Sequence, residues 1–125
     1  MKAKVLVIDD SALARRTLRL LLEEAGHTVE EASDGAQALE RIFLEAYDLV
    51  ILDMVMTGMY GLDVLAKIVE LKPAARVLVV TADIQKSTAA QVRAAGAKGV
   101  LNKPINRQQL ITAIDAVLGG SDLWT

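Results

Sequence analysis

An alternation does most to narrow what this chain can fold into. Five short apolar runs, "KVLVI" (4–8), "TVEEA" (28–32), "DLVIL" (48–52), "RVLVV" (76–80) and "GVLN" (99–102), are separated by segments of helical period. Val5 to Ile8 shows no polar alternation, which marks a strand buried on both faces. After Ser11, a suitable N-cap, Leu18, Leu21, Leu22 and Ala25 share one helical face, and Gly26 follows as a stop. Asp34 caps a second helix carrying Ala38, Leu39 and Ile42, and Leu62, Leu65, Ile68 and Val69 form a third stripe that ends before Pro73. The fourth, about 84–95, is alanine-rich, holds few large apolar groups (Ile84, Val92) and stops at Gly96. "NRQQ" at 106–109 resembles a capping box ahead of Leu110, Ile114, Val117 and Leu118. Five β–α alternations with continuous apolar strands imply a doubly wound α/β fold, a five-stranded parallel sheet with helices on both faces. The 125 residues suffice for one domain with a proper core. Its expected extent is 1–120, with 121–125 as a C-terminal tail or the start of a linker.

In such sheets ligands sit beyond the C-terminal ends of the strands. The first run ends in Asp9 and Asp10, the third in Asp53, the fourth in Thr81, and the fifth in Lys103 followed by Pro104. The second offers only Glu30, Glu31 and Ala32, as suits an edge strand away from the site. Adjacent carboxylates disfavour joint ionisation unless water or a cation compensates. Taken alone, Asp9 and Asp10 serve equally well as acids before a helix N-terminus. With Asp53 they form a hard-oxygen set that suits Mg²⁺. An ionised aspartate is also a competent nucleophile for phosphorus, and Asp53, central in the sheet, is the candidate. Lys103 and Thr81 would then meet phosphoryl oxygens, with catalysis by positioning and charge neutralisation.

The segments "VLVIDDS", "DLVILDMVMTGMYG", "VVTAD" and "LNKPI" stand in an order and spacing that resembles the receiver domains of two-component response regulators, the CheY-like family, over almost the whole chain. The resemblance implies strand order 2-1-3-4-5. It implies Asp53 as phosphoacceptor, Asp10 as a direct metal ligand, Asp9 acting through water, and the Val55 carbonyl as a further Mg²⁺ contact. Thr81 becomes the switch hydroxyl, Lys103 the phosphoryl partner, and Lys103–Pro104 a cis bond. The implied donor is a sensor histidine kinase or phosphotransfer protein, and the output is a conformational change read by a downstream protein, with a phosphatase among candidate partners. Three departures stand out. Val100 occupies the position of the usual Tyr or Phe, Thr57 that of the proline in "MPxMxG", and apolar Val55 flanks the path of hydrolytic water together with Asp83.

Composition prunes the rest. A net charge of −2 argues against direct nucleic-acid or membrane binding, and no stretch approaches the roughly 18 apolar residues of a membrane span. Zero cysteines exclude disulfides and thiolate metal sites. The expected setting is cytoplasmic, with chemotaxis as the family analogy, and the chain is expected to be a signalling domain that catalyses only its own phosphorylation and dephosphorylation. The alternative is the receiver portion of a longer regulator with a DNA-binding or enzymatic output domain. A haloacid-dehalogenase-type hydrolase would show DxD after the first strand, where this chain has "IDDS", and a flavin binder would need a phosphate-cradling loop there. Arg15 and Arg16 read as solvated helix residues, His27 as exposed and inert, and Met54, Met56 and Met59 as gap fillers. Trp124 reads either as tail packing or as the entry to a further domain.

Overall fold

The computed structural model describes residues 2–56, 58, 60–82 and 86–124, the side chains of Lys86 and Ser87 excepted. Thr57, Met59, Asp83 and Ile84, singled out above, lie outside the described residues. The elements follow one another as β1 (Lys4–Ile8), α1 (Ala12–Glu24), β2 (Thr28–Ala32), α2 (Gly35–Leu44), β3 (Leu49–Asp53), α3 (Gly61–Leu71), β4 (Val77–Thr81), α4 (Lys86–Ala94), β5 (Gly99–Asn102) and α5 (Arg107–Leu118). The five strands pair in parallel in the order β2-β1-β3-β4-β5, the order the resemblance implies.

β3 and β4 run one residue later than the apolar runs that announced them. Asp48 stands outside the strand, its carboxylate accepting from the Lys4 amide at 2.8 Å. At the other end, Asp53 pairs with Val80 and Thr81 with Asn102, so both polar residues belong to the ladder. Their side chains are therefore held by strand geometry.

Side chains from successive strand positions enter two cores. Val5, Val7, Ile51 and Val80 pack with Leu18 and Leu22 of α1 and Leu110 and Ile114 of α5. Leu6, Ile8, Leu52 and Val79 pack on the other face with Ile42 of α2, Leu65 and Ile68 of α3 and Val92 of α4. Burial on both faces is why these strands read as unbroken apolar runs. Three expected caps form: Ser11 Oγ accepts from the Ala14 amide (3.2 Å), Asp34 Oδ1 from Gln37 (2.7 Å) and Asn106 Oδ1 from Gln109 (2.7 Å). Each such cap contributes about 1 kcal/mol. Among the described residues no helix is long and apolar enough to cross a membrane.

Two close approaches shape the periphery. A Cβ on Gly61 would fall 2.5 Å from the Met54 carbonyl oxygen and 2.7 Å from its sulfur, so the segment leaving Asp53 lies directly against the start of α3. A Cβ on Gly99 would fall 2.5 Å from Leu123 Cδ1, because the tail folds back over β5. There the Leu123 amide donates to the Lys98 carbonyl (2.7 Å) and Trp124 Nε1 to the Ala97 carbonyl (2.8 Å), with the Arg93 guanidinium 5.7 Å from the ring centroid of Trp124. Leu123 joins the core of α1 and α5, and Trp124 the opposite one, so the tail straddles the β5 edge.

His27 corrects an expectation. It is buried, and its Nδ1 accepts from the Ala3 amide at 3.1 Å. The residue before β1 would otherwise leave that amide without an acceptor inside the fold, and an imidazole nitrogen supplies one.

Candidate functional site

The carboxyl ends of β1, β3 and β4 and the segment after β5 meet at one rim. Asp9 follows β1 directly, with its amide donating to the Ala32 carbonyl (3.2 Å), and it is 1% exposed. Asp53 closes β3 and is 5% exposed; Thr81 closes β4 and is fully buried. Lys103 is anchored through its own amide, which donates to the Thr81 carbonyl at 2.8 Å. The Lys103–Pro104 bond is cis.

Carboxylate oxygens of Asp9, Asp10 and Asp53 lie within 4.8 Å of one another. Lys103 Nζ reaches between two of them, 2.8 Å from Asp9 Oδ2 and 3.3 Å from Asp53 Oδ2. The other oxygens are held by backbone: the Ser11 amide donates to Asp9 Oδ1 (2.9 Å) and the Val55 amide to Asp53 Oδ1 (3.1 Å). Asp10 is exposed, as is the Val55 side chain. Thr81 lies on the strand beside β3, one residue past the Val80 that pairs with Asp53. Val100 is partly buried against the core of α2, α3 and α4.

Charge in this cluster does not balance. Among the described residues, the two buried acids Asp9 and Asp53 share the one ammonium of Lys103. Burial pushes the Asp53 carboxyl above its ordinary range, and the charge of Asp9 adds to the shift against the opposing Val55 amide and Lys103. Burial works against the charge on Lys103, yet its hydrogen bond to Asp9 and the fields of Asp53 and Asp9 outweigh that and raise its pKa. Lys103 sits closer to Asp9, so its compensation of Asp53 is partial. A set of hard carboxylate oxygens with excess negative charge fits a small divalent cation.

Arg15 and Glu31 were not expected here. Arg15 is no solvated helix residue: its Nη1 donates to the Asp9 carbonyl (2.6 Å) and its Nε to Glu31 Oε1 (3.1 Å), leaving the side chain 16% exposed. Glu31, on the strand assigned away from the site, thus reaches the acid pair through one guanidinium. The available signal was parallel register, which sets Glu31 beside Val7, two residues short of Asp9.

A groove of about 540 Å³ opens beside Lys103, lined by Leu13, Ala14 and Leu21 of α1 and by Ala82, Pro104 and Ile105. Its wall is mainly apolar, and Leu13 is 76% exposed.

Comparison with known proteins agrees with this geometry. Residues 5–115 match the family model described as the response regulator receiver domain. The chain is 33% identical to the chemotaxis protein CheY of Bacillus subtilis, over 94% of this chain and 99% of that one. It is 32% identical to the transcriptional regulatory protein ResD of the same organism, over 94% of this chain but only 48% of ResD, so it spans about half the length of that relative. A crystal structure of a response regulator from Burkholderia pseudomallei, with a phosphorylated aspartic acid, calcium ion and citrate, superposes with a TM-score of 0.85 at 31% identity, covering 93% of this chain and 68% of the other. The chain belongs to the family of response regulator receiver domains of two-component signalling.

Proposed function

We propose that Asp53 is the phosphoacceptor of this receiver and that Asp9, Asp10 and Asp53, with the Val55 carbonyl, hold Mg²⁺. The observation that carries the reading is the shared ammonium: one lysine lies between two buried acids, with a third acid completing the set. Receiver domains bind Mg²⁺ and work with sensor histidine kinases and downstream targets. The Burkholderia regulator structure contains a phosphorylated aspartic acid and a calcium ion, which supports this reading.

An Asp53 carboxylate oxygen attacks the phosphorus of a phosphohistidine. The P–N bond breaks as the P–O bond forms, and the imidazole of the donor leaves with the electron pair. Bound Mg²⁺ supplies positive charge for the phosphoryl oxygens. Lys103 then exchanges its contact with Asp53 for a phosphoryl oxygen, and the Thr81 hydroxyl donates to another. Moving Thr81 and Lys103 displaces β4 and the segment after β5, and this biases the surface of α4, β5 and α5 toward a partner-binding state. To carry such an equilibrium from 1:99 to 99:1 requires roughly 5.5 kcal/mol of differential stabilisation. Val100 lacks the aromatic group that usually follows the hydroxyl inward, so the coupling rests on the backbone and on Thr81 itself. The apolar groove beside Lys103 suits a helix of the donor, a kinase or phosphotransfer protein in the cytoplasm. Dephosphorylation is the same site's second reaction, with water as nucleophile and a phosphatase as a candidate partner.

The half-length match to ResD favours a second context, a receiver working within a longer regulator whose output domain binds DNA or acts as an enzyme. The reading frame downstream of Thr125 distinguishes the two contexts. The site itself is tested by intact mass after incubation with acetyl phosphate. One labile phosphoryl group is expected on the wild type with Mg²⁺, and none on Asp53→Ala or without Mg²⁺. Equal gain on Asp53→Ala would refute the assignment.

A further inference from the structure

The peptide joining Asp9 to Asp10 sets the direction in which both carboxylates leave the chain. Its carbonyl accepts from Arg15 Nη1 at 2.6 Å. Arg15 is itself fixed from the far side, by Glu31 Oε1 at 3.1 Å, and Glu31 is in turn held by Arg19 Nη1 at 2.8 Å. A rigid brace thus runs from β2 through α1 to the acid pair. We propose that Arg15 is a positioning residue for the divalent cation: it orients the Asp9–Asp10 peptide so that the two acids present their oxygens together, and Glu31 holds it in place. This inference rests on the metal-assisted reading above.

Two effects of Arg15 on cation affinity have opposite signs, which makes the role decidable. A guanidinium close to the site repels a second cation, so a purely electrostatic role would weaken Mg²⁺ binding, and its removal would tighten it. An orienting role does the reverse. Glu31, shared between Arg15 at 3.1 Å and Arg19 at 2.8 Å, offsets part of that repulsion, and the sign of the change in affinity tells the two roles apart. Lysine cannot reproduce both contacts, because its single ammonium lacks the planar fork that spans the carbonyl and the carboxylate.

The experiment is a calorimetric Mg²⁺ titration of wild type, Arg15→Ala, Arg15→Lys and Glu31→Gln, with urea unfolding of each in the absence of metal. Arg15→Ala is expected to weaken Mg²⁺ binding roughly tenfold, the lower range for outer-sphere residues at metal sites. Arg15→Lys and Glu31→Gln should lie between it and the wild type. Arg107→Ala, which breaks the exposed pair with Glu24, is the control and should leave affinity unchanged. Unchanged or tighter binding by Arg15→Ala, with any loss confined to unfolding, would overturn the proposal while leaving the metal site intact. Should Arg15→Ala not fold, wild-type affinity in both Arg15→Lys and Glu31→Gln would overturn it equally. Failure of the wild type itself to bind Mg²⁺ would remove the metal reading and this inference together.

Discussion

Two charged clusters flank β1, and they are built on different rules. At its start, Lys4 pairs with Glu30 and Glu45 (3.4 Å each), Arg41 with Glu30 (3.3 Å), and the Tyr47 hydroxyl oxygen lies 2.7 Å from Glu30 Oε1 and 2.8 Å from Glu45 Oε2, with one proton to share between them. Two cations meet two anions, and the side chains are part-exposed. At its end, among the described residues, the two almost fully buried acids Asp9 and Asp53 share the ammonium of Lys103, with Asp10 beside them. The first arrangement is balanced in charge, although Arg41 Nε is buried without a hydrogen-bond partner, and water can screen what remains. The second is charge-deficient, in a place where a missing partner is expensive. Imbalance, rather than the presence of charge, separates a site from a fastening.

The largest expected effect is chemical. Asp53→Asn should abolish phosphoryl uptake entirely by intact mass, while the protein stays folded. Its stability should also diverge from wild type with pH. The folded-state pKa of Asp53 is raised, so its contribution to stability is present below the ordinary carboxylate pKa and is lost as pH rises through the raised value. Urea midpoints of the two proteins should converge in acid, and wild type should fall behind toward neutrality. Glu30 gives the opposite sign. The hydrogen bond from Tyr47 holds its carboxyl below the usual range, so that contribution is present above the ordinary pKa and fades as pH falls through the lowered one.

Next in size, Lys103→Ala should cost about 2 kcal/mol without metal, since removing one partner strands buried charge. Millimolar Mg²⁺ should restore part of that loss by mass action. A urea midpoint that ignored Mg²⁺ would count against the charge-deficient description. Tyr47→Phe should cost about 1 kcal/mol, the usual value for a lost hydrogen bond, with no Mg²⁺ dependence and no effect on phosphoryl uptake. Lys4→Ala should have the smallest effect, one that shrinks further as salt is added.

The sheet was legible because burial on both faces writes itself as continuous apolar runs, and the rim because four of the five runs give way to chemically apt polar residues: aspartates at the first and third, Thr81 at the fourth and Lys103 at the fifth. Asp9, Asp10, Asp53 and Lys103 are brought together from three segments, and only their common place at strand ends announced it. Arg15 was not legible: an arginine on the first turns of a helix is ordinarily solvated, and its target is a carbonyl, which has no sequence signature. His27 was missed for a related reason, as its partner is the Ala3 amide. The apolar runs stop one residue short of the ends of β3 and β4 because hydropathy stops at the polar residue, whereas the hydrogen-bonded ladder continues through Asp53 and Thr81, the residues read as the ends of those strands.

The tail that straddles β5 has an optical consequence. Trp124 is the sole tryptophan of the sequence, and the fold has mounted it at the margin of the core of α2, α3 and α4, between the Ala97 carbonyl and Arg93. Intrinsic emission therefore follows the release of Leu123 and Trp124, while far-UV ellipticity follows the helices. On heating, the fluorescence transition should precede the loss of ellipticity if the last turn of chain peels away first, and the two curves should coincide if tail and sheet melt as one cooperative unit.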